Sequence, residues 1–147
     1  MLKIPPPLLV LILVISNYFS SKKIDLIFLP YQKLISFILL FIGILILINP
    51  ILKFIKSRTT IDPIKFKKVN KLITSGIYKY SRNPMYLGMV LILLSISFKF
   101  NLIGGIVLTM LFAGYITKFQ IIPEEIVMNK LFGDEFEKYK NKTRRWI

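Results

Sequence analysis

The sequence contains no cysteine and no histidine among its 147 residues. Without thiolates or imidazoles, this chain has no Cys₂His₂-type zinc site, no iron–sulfur cluster, no cysteine nucleophile and no serine-histidine-aspartate triad. Disulfides are excluded as well, so cysteine usage says nothing about the redox compartment. Any chemistry must therefore use carboxylates, guanidinium groups, hydroxyls and aromatic rings, and no metal is implied.

Acidic residues are also scarce, with seven Asp and Glu against 21 Lys and Arg, and the formal net charge is +14. Such a charge is compatible with nucleic-acid binding, but the positions of the charges favour a membrane. Four stretches carry no charged residue, and each approaches the roughly 20 apolar residues of a membrane-spanning helix. These stretches are residues 4–21, 34–52, 83–98 and 100–117. We therefore predict an all-α membrane protein with about four transmembrane helices.

The basic residues are distributed unevenly between the predicted loops. If residue 1 lies on the cytoplasmic side, 17 of the 21 Lys and Arg residues fall on that side and four on the other. Cytoplasmic loops of membrane proteins carry such an excess, and anionic headgroups attract it. The sequence thus predicts a multi-pass protein of the cell inner membrane, in contact with the lipid bilayer and with both termini cytoplasmic. No nucleic-acid partner is expected.

Prolines and glycines divide the predicted helices. Pro50 is expected to kink or end the second helix. Only residues 99–101 separate the third helix from the fourth, which predicts a tight antiparallel hairpin near the C-terminal end of the chain. Gly133 is expected to divide an amphipathic interfacial tail that ends in an Arg144-Arg-Trp146 anchor.

Residues 1–21 have the length of a signal peptide, but the residues before Ser20 are large where cleavage requires small ones, so we interpret the segment as a helix. The chain then divides into N-terminal spans, residues 1–57, and a region that carries the motifs, residues 58–147.

Polar and aromatic residues concentrate just before the third helix, in residues 76–88, and just after the fourth, at Glu124 and Glu125. A hairpin of these two helices places both groups on one face. Glu124 and Arg82 suit the ammonium and carboxylate of a cofactor with an amino-acid end, and tyrosine faces suit a sulfonium. Methyl transfer from a sulfonium depends mainly on orientation, so a site without histidine can perform it. Alternatively, these residues are interfacial anchors and helix-dipole partners.

Several blocks in this region occur in one order and with compatible spacing. Together they resemble the signature of the integral-membrane isoprenylcysteine carboxyl methyltransferase and phospholipid methyltransferase superfamily. The blocks are Thr60-Ile-Asp-Pro63, Leu72-Ile-Thr-Ser-Gly-Ile-Tyr78, Arg82-Asn-Pro-Met-Tyr-Leu-Gly88, Pro123-Glu-Glu125, Leu131-Phe-Gly133 and Arg144-Arg-Trp146.

The resemblance implies a helical membrane enzyme that uses S-adenosylmethionine. The family's cofactor contacts carry over to Asn70, Lys71, Leu72, Ile73, Tyr78, Asn83, Pro84, Met85, Tyr86 and Glu124. We further predict Arg82 and Glu125 as catalytic residues and Gln120 as a substrate contact. Two positions depart from the family pattern, because eukaryotic members carry histidine at the position of Asn83 and an arginine at the position of Gln120. Loss of that arginine weakens the expectation of a prenylated carboxylate as the acceptor.

The sequence therefore predicts an S-adenosylmethionine-dependent methyltransferase whose acceptor is lipophilic, either an isoprenylcysteine-type carboxylate or a lipid headgroup. Two alternatives remain. Membrane reductases share a related helical architecture, and a small membrane scaffold would use the same arginines and tyrosines only as anchors.

Overall fold

The structure, a computed structural model, describes residues 4–22, 29–56 and 72–147. The described residues are almost entirely helical and contain no strand, which confirms the all-α prediction. Asn70 and Lys71 lie outside them. The α-helices are α1 (Pro6–Ser20), α2 (Gln32–Lys56), α3 (Pro84–Lys99), α4 (Leu102–Ile116), α5 (Ile122–Phe132) and α6 (Asp134–Lys142).

Helices α2 and α3 pack along each other through two facing glycines. A Cβ on Gly88 would lie 2.8 Å from the carbonyl oxygen of Gly43, which is closer than real Cβ contacts come. Small residues allow such an approach, and in a lipid environment close packing is a main source of helix association. Helix α2 continues through Pro50 to Lys56, so Pro50 does not end this helix.

Helices α3 and α4 form the tight hairpin that the sequence predicts, with Asn101 at the turn. The Asn101 side chain accepts a hydrogen bond from the Gly104 N–H over 3.1 Å and thereby caps α4, while its amide donates to Ser20 Oγ in α1 over 3.2 Å. An asparagine at this position satisfies an N–H that the helix itself leaves without a partner. The cap also fixes α1 against the hairpin.

Within the described residues, two helical segments are long and apolar enough to cross a membrane, namely Gln32–Leu52 and the continuous run Leu102–Phe132. Helices α1 and α3 are apolar but shorter, at 15 and 16 residues. Of these segments, only Gln32–Leu52 and Leu102–Phe132 reach the length of about 20 residues that a membrane span requires. The count of four spans stays a prediction.

The buried apolar side chains of the described residues form two clusters. The first lies between α3, α4 and the turn that joins α4 to α5, and Trp146 of the C-terminal segment packs against it; its buried members are Met89, Leu93, Phe112, Ile116 and Ile121. The second joins the segment before α3 to α6 through Leu72, Tyr78, Phe136 and Tyr139. Gly133, with φ of 47° and ψ of −121°, separates α5 from α6 as the sequence predicts. The predicted site residues that the structure describes lie in or beside these elements.

Candidate active site

Two segments that are far apart in the chain meet through Tyr86 and Glu124. Tyr86 is in the first turn of α3 and Glu124 in the first turn of α5. The Tyr86 hydroxyl donates to Glu124 Oε1 over 2.7 Å across 38 residues of sequence, and the Gln120 amide donates to the same oxygen over 3.0 Å. Hydrogen bonds to a carboxylate are the stronger kind, so Glu124 is held in one position. The sequence prediction that the hairpin brings these segments together is confirmed.

A wide helical turn places Gln120 and Glu124 on the same face. Residues Thr117–Ile121 form a π-helical turn between α4 and α5, and Pro123 follows in the first turn of α5. A proline inside a helix lacks the N–H and its ring clashes with the preceding turn. The wider turn accommodates Pro123 without breaking the helix, and such π-turns often occur at functional sites.

The neighbouring carboxylate, Glu125, is bound by two guanidinium groups. Arg82 Nη2 donates to Glu125 Oε1 over 2.7 Å, and Arg145 donates to Oε1 from Nε over 3.1 Å and to Oε2 from Nη2 over 2.7 Å. The side chains of Arg82 and Glu125 are only 10% and 15% exposed. Such paired, hydrogen-bonded geometry is what makes a partly buried ion pair favourable.

Arg82 also contacts the C-terminal segment, and one of its nitrogens has no partner among the described residues. Its Nη1 donates to the carbonyl oxygens of Lys140 and Thr143 over 3.2 and 3.1 Å. Its Nε is buried and makes no hydrogen bond within the described part of the chain. A buried donor of this kind is costly to leave unpaired, so it is a natural position for a ligand atom.

Tyr78 lies in the second buried cluster, where it packs against α6. The Tyr139 hydroxyl donates to the Tyr78 carbonyl oxygen over 2.7 Å. Burial raises the pKa of Tyr78 above the ordinary value of a tyrosine, with smaller contributions from Tyr139 and Glu124, and burial raises the pKa of Tyr139 to about 12. Both phenols are therefore neutral at ordinary pH.

The remaining predicted site residues form the start of α3 or pack in the second buried cluster. Asn83 precedes α3, and its side-chain amide donates to the Arg145 carbonyl oxygen over 3.0 Å. Pro84 is buried as the first residue of α3, where its missing N–H costs nothing, and Met85 is half-buried beside it. Leu72 is buried in the second cluster, with Ile73 packed against it.

The predicted site residues thus separate into neighbouring groups. Tyr86, Gln120 and Glu124 form one group. Arg82 and Glu125 form a second group. Leu72 and Tyr78 belong to the second buried cluster. Sequence reasoning missed Arg145 and Tyr139, which hold these groups in place. The Arg144-Arg-Trp146 block was visible in the sequence, but a membrane anchor explains the same residues equally well.

The chain is similar to known proteins over the region that contains these residues. The model of the phospholipid methyltransferase family matches residues 31–135, which include Arg82, Tyr86 and both glutamates. The chain is 37% identical over 82 residues to protein-S-isoprenylcysteine O-methyltransferase of Schizosaccharomyces pombe; the match covers 54% of this chain and 34% of that enzyme. It is 38% identical over 63 residues to an uncharacterized protein of Haemophilus influenzae, covering 43% of this chain and all of that one. No solved structure matches the chain significantly.

The chain belongs to the phospholipid methyltransferase family, within the superfamily that includes the isoprenylcysteine methyltransferases. The family and the two long apolar helices together identify a membrane protein of the methyltransferase type. The matched region spans about a third of the length of the fission-yeast enzyme.

Proposed function

We propose that this protein is an S-adenosylmethionine-dependent methyltransferase that acts on a lipophilic, membrane-associated acceptor. The observation that carries the proposal is the contact between Tyr86 and Glu124, which joins the start of α3 to the start of α5 in a single polar site. Family membership supports a methyl donor of this type. The acceptor is an isoprenylcysteine-type carboxylate or a lipid headgroup, as the names of the family and of the fission-yeast relative suggest.

The residues present fit the cofactor's amino-acid end. Glu124 offers a carboxylate to its ammonium, and the hydrogen bonds from Tyr86 and Gln120 hold that carboxylate in position. The buried Nε of Arg82 offers a donor to its carboxylate. The half-buried ring of Tyr86 supplies an aromatic face beside Glu124, and such a face attracts a sulfonium by about 0.5–2 kcal/mol. Leu72 and Tyr78, buried in the second cluster, support the site through packing.

The reaction requires little from the protein beyond orientation and exclusion of water. When bound, S-adenosylmethionine supplies an electrophilic methyl group on a sulfonium, whose S–CH₃ bond breaks as the acceptor's O–CH₃ or N–CH₃ bond forms. The role of this chain's residues is to hold both partners in line, a contribution that reaches about 7–11 kcal/mol in well-oriented reactions. In this proposal Arg82 orients the cofactor and Gln120 faces the acceptor.

A four-span topology fits the proposal. With α1 to α4 crossing the inner membrane and both termini cytoplasmic, Tyr86 and Glu124 lie at the cytoplasmic boundary. A soluble cofactor then arrives from the cytoplasm and a lipophilic acceptor from the bilayer. The excess of Lys and Arg on that side supports this orientation.

Binding of tritiated S-adenosylmethionine to the purified protein tests the proposal. We expect saturable binding by the wild type, strong loss in Glu124→Ala, and wild-type affinity in Glu135→Ala, a matched control at an exposed glutamate of α6. Absence of binding by a folded wild type, or equal affinities of the two variants, contradicts the proposal. Stabilisation by a nicotinamide cofactor instead of S-adenosylmethionine would indicate a reductase, and stabilisation by neither would indicate a scaffold.

A further inference from the structure

The two adjacent glutamates have different partners. Glu124 accepts hydrogen bonds from a phenol and an amide, both neutral. Glu125 accepts three from the guanidinium groups of Arg82 and Arg145, with both of its oxygens engaged. A carboxylate held by two cations is stabilised in its charged form and is poorly suited to accept a proton. Glu125 is therefore suited to hold the structure together.

Arg145 belongs to a C-terminal strap, residues 143–147, that runs beside the start of α3. The Arg82 N–H donates to the Arg144 carbonyl oxygen over 3.1 Å, and the Asn83 amide donates to that of Arg145 over 3.0 Å. Thr143, which is buried, donates to the Lys79 carbonyl oxygen over 3.3 Å. The strap thus contacts the backbone or the side chains of the residues that immediately precede Tyr86.

The end of the strap is anchored by Trp146. This side chain packs against the first buried cluster, to which the half-buried ring of Tyr86 also contributes. The strap is therefore fixed at both ends, by hydrogen bonds at residues 143–145 and by apolar packing at Trp146. The ion pair of Glu125 with Arg145 joins it to α5.

We propose that Glu125 is a positioning residue that acts through Arg145, holding the C-terminal strap against Lys79, Arg82 and Asn83 and so fixing Arg82 and Tyr86 for the cofactor. This rests on the proposed function, because the expected effect is on cofactor affinity. Neither Glu125 nor Arg145 contacts the reacting atoms in this account. Loss of the ion pair weakens cofactor binding and leaves the rate at saturating cofactor nearly unchanged.

Arg145→Gln is the primary variant, because the Arg145 side chain is 36% exposed and its removal leaves no fully buried charge. Lys142→Gln is the matched control, an exposed cation three positions earlier whose loss changes the net charge equally. Arg145→Lys retains the charge but not the two-nitrogen contact, and it should restore only part of the affinity. Glu125→Gln tests the other partner, with exposed Glu135→Gln as its control.

Trp146 provides a readout that does not depend on catalysis, since it is the only tryptophan of the chain. Release of the strap should shift its emission to the red and increase its quenching by acrylamide in Arg145→Gln, but not in Lys142→Gln. The dissociation constant for tritiated S-adenosylmethionine should rise by roughly tenfold or more in the same variant, as expected for the loss of a charge-assisted contact. The transfer rate at saturating cofactor should remain within about twofold.

The two proposals fail in different ways. If the wild type binds the cofactor and Arg145→Gln matches Lys142→Gln in both Trp146 quenching and affinity, the strap proposal is overturned and the proposed function stands. If Glu125→Gln instead lowers the transfer rate at saturating cofactor and leaves the affinity unchanged, the strap proposal is also overturned, because that result assigns Glu125 a catalytic role. If a folded wild type binds no S-adenosylmethionine, the proposed function fails, and with it the effect on affinity, whatever Trp146 reports.

Discussion

The Tyr86 hydroxyl and Glu124 Oε1 lie 2.7 Å apart although the two residues are separated by 38 positions in the sequence. This contact depends on the antiparallel packing of α3 with α4 and on the π-turn that precedes α5. It brings a phenol, an amide and a carboxylate together at one end of the helical bundle.

Tyr86→Phe removes the hydroxyl and keeps the ring. Because the hydrogen bond orients Glu124, we expect the affinity for S-adenosylmethionine to fall by about 1–2 kcal/mol, roughly five- to thirtyfold in Kd. Tyr80→Phe is the matched control, since Tyr80 is 75% exposed. Equilibrium binding with tritiated cofactor measures both, and equal affinities in the two variants would show that the hydroxyl has no role.

The crossing of α2 and α3 depends on Gly88. An alanine there would bring a Cβ to 2.8 Å from the Gly43 carbonyl oxygen, so we expect Gly88→Ala to destabilise the fold by about 1–3 kcal/mol, as overpacking does. At Gly114, nothing lies within 4 Å of an added Cβ, and Gly114→Ala should be neutral or stabilising by up to about 1 kcal/mol. Thermal unfolding in detergent compares them. A Gly88→Ala midpoint at or above that of Gly114→Ala would contradict the packing described.

Alkaline pH should loosen the contact between α6 and the segment before α3. Burial raises the pKa of Tyr139 to about 12 in the folded state, against 10.0 for a free tyrosine. Because the folded-state pKa is the higher one, the contribution of Tyr139 to stability is complete below pH 10 and is lost as the pH rises towards 12. Unfolding midpoints on both sides of pH 10 measure this loss, which should be smaller in Tyr139→Phe. An equally steep loss in that variant would assign the effect to other groups.

Much of the helical framework follows from the sequence. The four charge-free stretches correspond to α1 to α4, the short break at residues 99–101 predicts the hairpin, and Gly133 separates α5 from α6. These features depend on local composition and on turn residues, and both can be recognised in the sequence alone. Hydropathy does not indicate which face of a helix packs, however. Gly114 therefore looks equivalent to Gly105 in sequence, yet only Gly105 meets other side chains, those of Asn17 and Ser97.

The partners within the site were harder to predict. The sequence places Arg82 and Glu125 near each other through the hairpin, but it does not indicate that Arg145 returns to share the same carboxylate. That contact depends on the direction in which the chain leaves α6, which is set by tertiary packing around Tyr139. The π-turn at Thr117–Ile121 also has no sequence signal stronger than Pro123 two residues later.

A double-mutant cycle on cofactor affinity tests the central claim most directly, that the starts of α3 and α5 form one cofactor site. The cycle compares wild type, Tyr86→Phe, Glu124→Gln and the double variant by equilibrium binding of S-adenosylmethionine. If Tyr86 acts through Glu124, the losses do not add, and the double variant binds within about twofold of Glu124→Gln. Losses that add to within about 0.5 kcal/mol, or no loss in either single variant, would contradict the account.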